Sequence, residues 1–578
     1  MNDPSTRIKH WLAFLYGAEA AAQVWPALAD RIAHWRSRIS DAPAHPFTER
    51  DALLITYADQ FRRAGQSPLQ TLRAFLDEQV GDVITGAHIL PCFPYSSDDG
   101  FSVIDYRRID PALGDWEDVA AISRRYRLAL DFVANHISRH SAWFQAFTRG
   151  DSPYRDYFIV VSPDLDLSQV ARPRALPLLT PVETARGLCH VWTTFSADQI
   201  DLNYANPQVL IEMTDVLLDY VSRGAGIIRL DAIAYLWKEI GTPCIHLPQT
   251  HAVVKLWRAA LDAAAPGVLL MTETNVPHAD NVRYFGDRLP GSDRTDEAQL
   301  VYNFSLAPLT LHALQTADAT RLSAWVGSLG TPAPGATFFN LIASHDGLGL
   351  LPAQGLLSQR EIDDLVLQTL AHGGRVSYKA LPDGLTSAYE LNTTLYDFLN
   401  DPASPDPEMD TPRFVASQAI LLSMAGVPGI YAHSLLGSRN CHECYAATGH
   451  ARALNRRKFD MDKLLAMLAD ERRHEGRVFD AYRRLLRARR SEPAFHPSGE
   501  QEALRLRPAV FALLRTPPGA GRPVLCLVNV SAWPQEVALP GRLWGGAWRD
   551  VLEGEGGQEI CGRLTLEPYQ ARWLKPAG

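Results

Sequence analysis

The sequence lacks the features that mark several large classes of protein. Seven cysteines in 578 residues are too few and too scattered for the disulfide framework of a small secreted domain. No apolar run approaches the roughly 20 residues needed to span a bilayer. The opening stretch "MNDPSTRIKHWLAFLYG" carries charge around a short apolar patch and has no small-residue cleavage site, so it makes a poor signal peptide. Positive charge is not in excess: 56 Lys and Arg against 65 Asp and Glu leave a net charge of -9, without the basic stripe of a nucleic-acid binder. What remains is an acidic chain, 46% hydrophobic and 21% charged, of ordinary globular composition. It is expected in the cytoplasm, with neither nucleic acid nor membrane as partner, and is long enough for a large core and more than one domain.

One cysteine cluster stands out. "CHECY" sets Cys441 and Cys444 at metal-ligand spacing around His442. A structural zinc needs a second ligand pair, and no second C-x-x-C occurs, so free thiols of an ordinary loop and no metal are expected here.

Residues 1–50 read as a helical N-terminal extension, since "HWLAFLYG" and "AAQVWPALADRIAHW" repeat apolar residues at three- and four-residue spacing. Eight short β-type runs follow, each ending in polar residues and separated by helical stretches: "ALLITYADQ", "GAHILPCFPY", "RLALDFVANH", "AGIIRLDAIAY", "GVLLMTETN", "LVYNFSL", "TFFNLIASHDG" and "VPGIYAHSLLG". Strands alternating with helices imply a parallel sheet, and eight such units an α/β fold of the (β/α)8 TIM-barrel type over 51–500. Two loop insertions, 150–200 and 355–415, are placed to shape the mouth of the barrel. From 501 to 578 short alternating strands predict a C-terminal antiparallel β domain.

Catalytic groups of such barrels sit where strands end. Those ends hold Asp131 and His136 in "DFVANH", Arg229 and Asp231 in "GIIRLDA", Glu273 in "TETN", and His345 with Asp346 in "SHDG". A single buried Asp is usually structural, but four acids converging on one rim repel one another and so mark function. Glycoside chemistry uses such a set: one carboxylate attacks the anomeric carbon and a protonated one serves the leaving oxygen. Crowding and burial raise a glutamate's pKa. Arg229 beside Asp231 acts the other way, holding that aspartate ionised.

In that order these motifs resemble the four signature regions of the α-amylase superfamily, glycoside hydrolase family 13, over about 50–435. The resemblance implies Asp231 as nucleophile, Glu273 as acid/base and Asp346 as transition-state stabiliser, with His136, Arg229 and His345 in the sugar subsite. "HILPCFPYSSDDGFSVIDY" and "LNRRKF" are similar to segments of the sucrose phosphorylase group. They imply Asp98 and Arg456 as a clamp on the far end of glucose and Phe101 beside its ring. The "VARPRALPLLTPV" loop implies phosphate on Arg174, whose guanidinium is suited to bidentate binding; a solvated loop arginine is the plain alternative. "VWTTFSADQIDLNY" implies Phe195 and Gln199 on the acceptor side.

The N-terminal extension, "LWKEIGTPCIHLPQTH", "GGRVSYKALPDG" and "LLGSRN" depart from sucrose phosphorylases and look like the glucosylglycerate and glucosylglycerol phosphorylases. Glycerate carries a carboxylate that needs a cation, and Arg375, Lys379 and Arg439 are its expected partners, though most loop cations are plain surface charges. The resemblance implies a retaining phosphorylase that needs no cofactor, takes a small α-glucoside with inorganic phosphate as co-substrate, and works as a monomer or homodimer. Sucrose or glucosylglycerol phosphorolysis, hydrolysis, transglucosylation and a non-catalytic amylase-like role are the rivals.

Overall fold

The computed structural model of the protein describes residues 3–40, 46–292, 294–330, 332–380, 386–539, 541, 546–554 and 558–577. Its centre is a closed barrel of eight parallel strands: β1 (Leu53–Thr56), β2 (Gly86–Ile89), β3 (Arg127–Phe132), β4 (Ala225–Leu230), β5 (Leu269–Thr272), β6 (Leu300–Tyr302), β7 (Thr337–Asn340) and β8 (Val427–Tyr431). Each falls within one of the eight runs expected from sequence. Nearly every strand residue is buried, as parallel strands covered on both faces require. β1 closes the barrel by pairing with β8 on one side and β2 on the other.

The N-terminal extension forms two helices, α1 (Pro4–Tyr16) and α2 (Ala18–Arg36). Asp3 caps α1 through the amide of Thr6, with Pro4 in the first turn where its missing N–H costs nothing. The pair lies against α3 (Pro207–Ser222) and α4 (Pro248–Ala264) of the barrel's outer ring. Polar anchors fix it there: Arg7 to Asp262, the Trp35 indole to Asp215 Oδ1 at 2.7 Å, and the Tyr16 hydroxyl to the carbonyl of Tyr204 at 2.9 Å. Among the described residues, no helix is long and apolar enough to cross a membrane.

The first insertion carries a β-ribbon, Leu179–Thr184 with Gly187–Trp192, and a short strand Gln199–Asp201 that pairs with His136–Ser138 beyond β3. The second holds a hairpin of Arg375–Ala380 and Thr386–Asn392, extended by Leu348–Gly349; the "LPDG" of its tip lies outside the described residues. Helix Asp410–Ser423, which leads into β8, begins inside the range assigned to that insertion.

The C-terminal domain is a five-stranded antiparallel sheet from Glu500 to Pro576 with a two-stranded partner. Its period-two pattern divides between two cores. Val510 and Ala512 face a local cluster with Trp548 and Leu574, while Phe511 and Leu513 join the main core. Arg515 rivets the domain to the barrel: fully buried, it donates to the carbonyls of Ser423 (2.8 Å), His496 (2.9 Å) and Glu500 (3.2 Å). Leaving those acceptors unpaired is costly, so Arg515→Met is expected to lower stability by about 3 kcal/mol. Thermal melting against wild type measures this; an unchanged midpoint would mean that apolar contact alone holds the domain.

Candidate active site

The register of β3 and β4 sets Asp131 beside Arg229, and from there the centre assembles. Arg229 is 1% exposed. Its Nη1 donates to Asp231 Oδ1 at 2.8 Å and to Asp131 Oδ1, its Nε donates to the Tyr302 hydroxyl at 3.1 Å, and its Nη2 stands 3.8 Å from Glu273 Oε2. The other oxygen of Asp131 meets His88 Nε2 at 2.6 Å. One step past Asp231 the chain turns through Ala232 in the left-handed region (φ 48°, ψ 30°), a conformation that costs a side-chain-bearing residue about 1 kcal/mol. The turn aims the Ala232 amide at Glu273 Oε2, 3.1 Å away. Three strand ends thus deliver Asp131, Asp231 and Glu273 around one guanidinium.

That sharing has an electrostatic consequence. Burial raises the Asp231 carboxyl, Glu273, Asp131 and Asp346 raise it further, and Arg229, divided between two aspartates, does not cancel them. Burial likewise raises Glu273, against the pull of Arg229 and the Ala232 amide. The expectation that Arg229 holds Asp231 down is therefore corrected: the cation is split, and burial with the neighbouring carboxylates raises Asp231. Arg229 touches Asp231 at 2.8 Å and stands 3.8 Å from Glu273, so it favours the ionised form of Asp231 more than that of Glu273. Asp131 is depressed, because Arg229 and His88 outweigh its burial.

Around this centre lies an inner pocket of about 70 Å³ that opens on a vestibule of about 1350 Å³. Asp98, Phe101, His136, Phe195, Gln199, Asp231, Glu273 and Asp346 all line the inner pocket, as does Arg174. His345 stacks on Phe101 (centroids 4.9 Å apart, 5° between planes). Burial, opposed by Asp346 but helped by Arg229 and Arg456, pushes its imidazole down to about 3, so it is neutral. Neither ring nitrogen of His345 has a hydrogen-bond partner, and both are buried. His136 Nε2 lies 2.9 Å from the Phe101 carbonyl and 3.2 Å from Gln199 Nε2.

Three expected contacts differ. Arg456 bonds Asp99 Oδ2 at 2.6 Å and the His345 carbonyl at 2.8 Å, with Asp98 Oδ1 at 3.8 Å. Consecutive left-handed residues Asp98 and Asp99 (φ 54° and 48°) turn the second carboxylate, not the first, toward it. Arg174 reaches across the pocket mouth to Asp98 Oδ2 at 3.0 Å. Both residues line the inner pocket and the vestibule. The proposed acceptor cations are elsewhere. Arg439 pairs with Asp397 at 2.9 Å, a buried acid that needs a counter-charge; Arg375 lies on the Tyr445 ring; and neither these two nor Lys379 lines the pocket or the vestibule.

Residues 81–329 match the family model of the α-amylase catalytic domain. The chain is 47% identical to a glucosylglycerate phosphorylase of Spirochaeta thermophila, across 98% of this chain and 96% of that one. The chain belongs to the α-amylase superfamily, in its glucosylglycerate phosphorylase family. It is 30% identical to a sucrose phosphorylase of Agrobacterium vitis, over 77% of its own length and 89% of that protein. A solved sucrose 6F-phosphate phosphorylase from Thermoanaerobacter thermosaccharolyticum shares the fold, with a TM-score of 0.73 at 24% identity over 89% of this chain and 98% of that one.

Several residues of this family member's pocket escaped the sequence reading. Arg452 lies between Asp346 (2.5 Å) and Glu390 (2.8 Å), and Asn455 donates to the carbonyls of Ser344 and Asp346, both at 3.1 Å. Arg452 lies in a 3-10 turn, Ala451–Asn455, that ends at Arg456, so closeness in sequence to Arg456 is the signal that could have found it. The Cys441–Cys444 pair also differs from the free thiols expected: the two form a disulfide across the first turn of helix His442–Thr448, their Cα atoms 5.2 Å apart.

A carboxyl raised by burial favours the fold while protonated, and that contribution is lost as pH rises from the ordinary carboxylate range through the raised value. Glu273→Gln is neutral at every pH. It is therefore expected to melt above wild type at pH 8, with the gap narrowing toward pH 5; a pH-independent gap in calorimetry would contradict the raised carboxyl.

Proposed function

We propose that this chain is a retaining α-glucoside phosphorylase that converts 2-O-α-glucosylglycerate and phosphate, reversibly, into α-glucose 1-phosphate and glycerate. What carries the reading is the coincidence of two observations: near full-length likeness to a glucosylglycerate phosphorylase, and Asp231 and Glu273 around one buried guanidinium with Asp346 lining the same pocket.

The carboxylate of Asp231 attacks C1 of the glucosyl unit while Glu273 gives its proton to the departing glycerate oxygen. The C1–oxygen bond breaks and a β-glucosyl ester forms. Asp346 faces the positive charge that develops in the ring on each side of this intermediate. Phosphate then attacks C1 from the vacated side and gives its proton to Glu273, and Asp231 leaves. Two inversions return the α configuration. Asp98, His136, Arg229, His345 and Arg456 meet glucose hydroxyls or fix the groups that do, with Phe101 against the ring. Phe195 and Gln199 border the acceptor.

Arg174 is the cation for the incoming phosphate, and with Arg375, Lys379 and Arg439 turned away it serves the glycerate carboxylate as well. One planar fork suits both anions. Water must be excluded because it would open the same ester to glucose, and the narrow pocket under Arg174 supports that. Phosphate is the co-substrate and no cofactor takes part. The reading includes a cytoplasmic monomer or homodimer, with five free thiols beside the Cys441–Cys444 disulfide.

Purified protein incubated with α-glucose 1-phosphate and, separately, glycerate, glycerol or fructose is expected to release phosphate with glycerate. Release with fructose alone, or glucose as the only sugar product, would overturn the assignment.

A further inference from the structure

The contacts of Arg452 form a closed ring. Its Nη1 pairs with Asp346 Oδ1 at 2.5 Å. Its opposite edge meets Glu390 as a fork, Nη2 to Oε1 at 2.8 Å and Nε to Oε2 at 3.2 Å. Glu390, 3% exposed, then accepts the amide of Gly347 at 3.0 Å, the residue next to Asp346. Only glycine fits there: a Cβ on Gly347 would lie 2.4 Å from Glu390 Cγ and 2.7 Å from the Leu391 carbonyl. Three residues beyond Arg452, Asn455 holds the carbonyls of Ser344 and Asp346. One turn of chain therefore grips both the carboxylate and the backbone of the "SHDG" loop.

We infer that Arg452 is a positioning residue for Asp346, oriented by Glu390, and not a receptor for phosphate or the glycerate carboxylate. Lining the pocket beside Arg174 makes a receptor role plausible at first sight. Yet the guanidinium already stands between two carboxylates, so an arriving anion would meet a local net charge of one minus and no free fork. The neighbouring groups do not replace it, because the neutral His345 and the cation Arg456 come no nearer to Asp346 than 3.5 Å. All three make their closest approach to Oδ1. Burial alone would raise the Asp346 carboxyl; Arg452, with Arg456 and Arg229 behind it, holds it well below the usual carboxylate range. Asp231 and Glu273 face it with the opposite effect.

The inference rests on the proposed role of Asp346, and the test separates the two. Fluoride release from α-glucosyl fluoride reads the first displacement whatever later accepts the glucosyl group. Arg452→Met is expected to lower kcat for that release by about 100-fold, the scale of a misplaced catalytic group, with KM for donor and phosphate nearly unchanged. Arg452→Lys keeps the charge but not the fork, so it should restore part of the rate. Glu390→Gln should act in the same direction as Arg452→Met and add little to it in the double variant. An unchanged kcat with a raised KM for phosphate would make Arg452 an anion receptor and overturn the inference. If Arg452→Met fails to fold by thermal melting, Arg452→Lys and Glu390→Gln decide. Wild-type fluoride release that yields only glucose would sink the phosphorylase reading and leave the Arg452 comparison standing, whereas no release at all would sink both.

Discussion

One buried cation organises this molecule. Arg229 lies at the end of β4 with no water to solvate it, and a guanidinium there is tolerable only when surrounded by anions and hydrogen-bonded on every edge. Asp131, Asp231, Glu273 and the Tyr302 hydroxyl supply that surrounding. The dependence runs both ways, since three carboxylates on adjacent strand ends would repel one another without it. The barrel is what makes such a group possible: parallel strands in fixed register bring side chains from β3, β4, β5 and β6 to one level.

A single positive charge shared among several acids leaves a residue of negative charge, and that imbalance is what the chemistry uses. Asp131 is satisfied by two partners and is structural in effect. Asp231 and Glu273 compete for what is left, and burial raises both carboxyls. Asp346, on the far side of the pocket, is excluded from this competition by its own arginine. Two guanidiniums therefore act in opposite balance within one small cavity, with Asp231 and Glu273 raised and Asp346 lowered. A second tier repeats the logic at the rim, where Arg456 answers Asp99 and Arg174 answers Asp98.

The barrel strands were legible because each is a short, doubly buried run that ends in polar residues, a pattern no amphipathic helix shares. The carboxylates were legible for the same reason: they interrupt apolar strands at equivalent ends, where nothing but use explains them. Glu390 and Arg452 were not, since 62 residues separate them and only the folding of the second insertion over the pocket brings them together. Cations in loops were the weakest ground. "LLGSRN" shows an arginine but not that Asp397, buried 42 residues earlier, captures it. "SSDDG" shows two adjacent acids, and only the left-handed turn through both decides which one faces Arg456. Side-chain direction in loops is set by tertiary partners, and a linear pattern carries little of it.

The central claim is that Asp231 holds the glucosyl group between acceptor and phosphate. The most direct measurement is mass spectrometry of peptides from Glu273→Gln treated with α-glucosyl fluoride in phosphate-free buffer. That variant lacks the acid/base needed to activate water, and fluoride departs without acid help. The account predicts one hexosyl adduct, on the peptide that carries Asp231, which vanishes when phosphate is added as α-glucose 1-phosphate appears. Fluoride release with no adduct, and β-glucose 1-phosphate as product, would show a single displacement and contradict it.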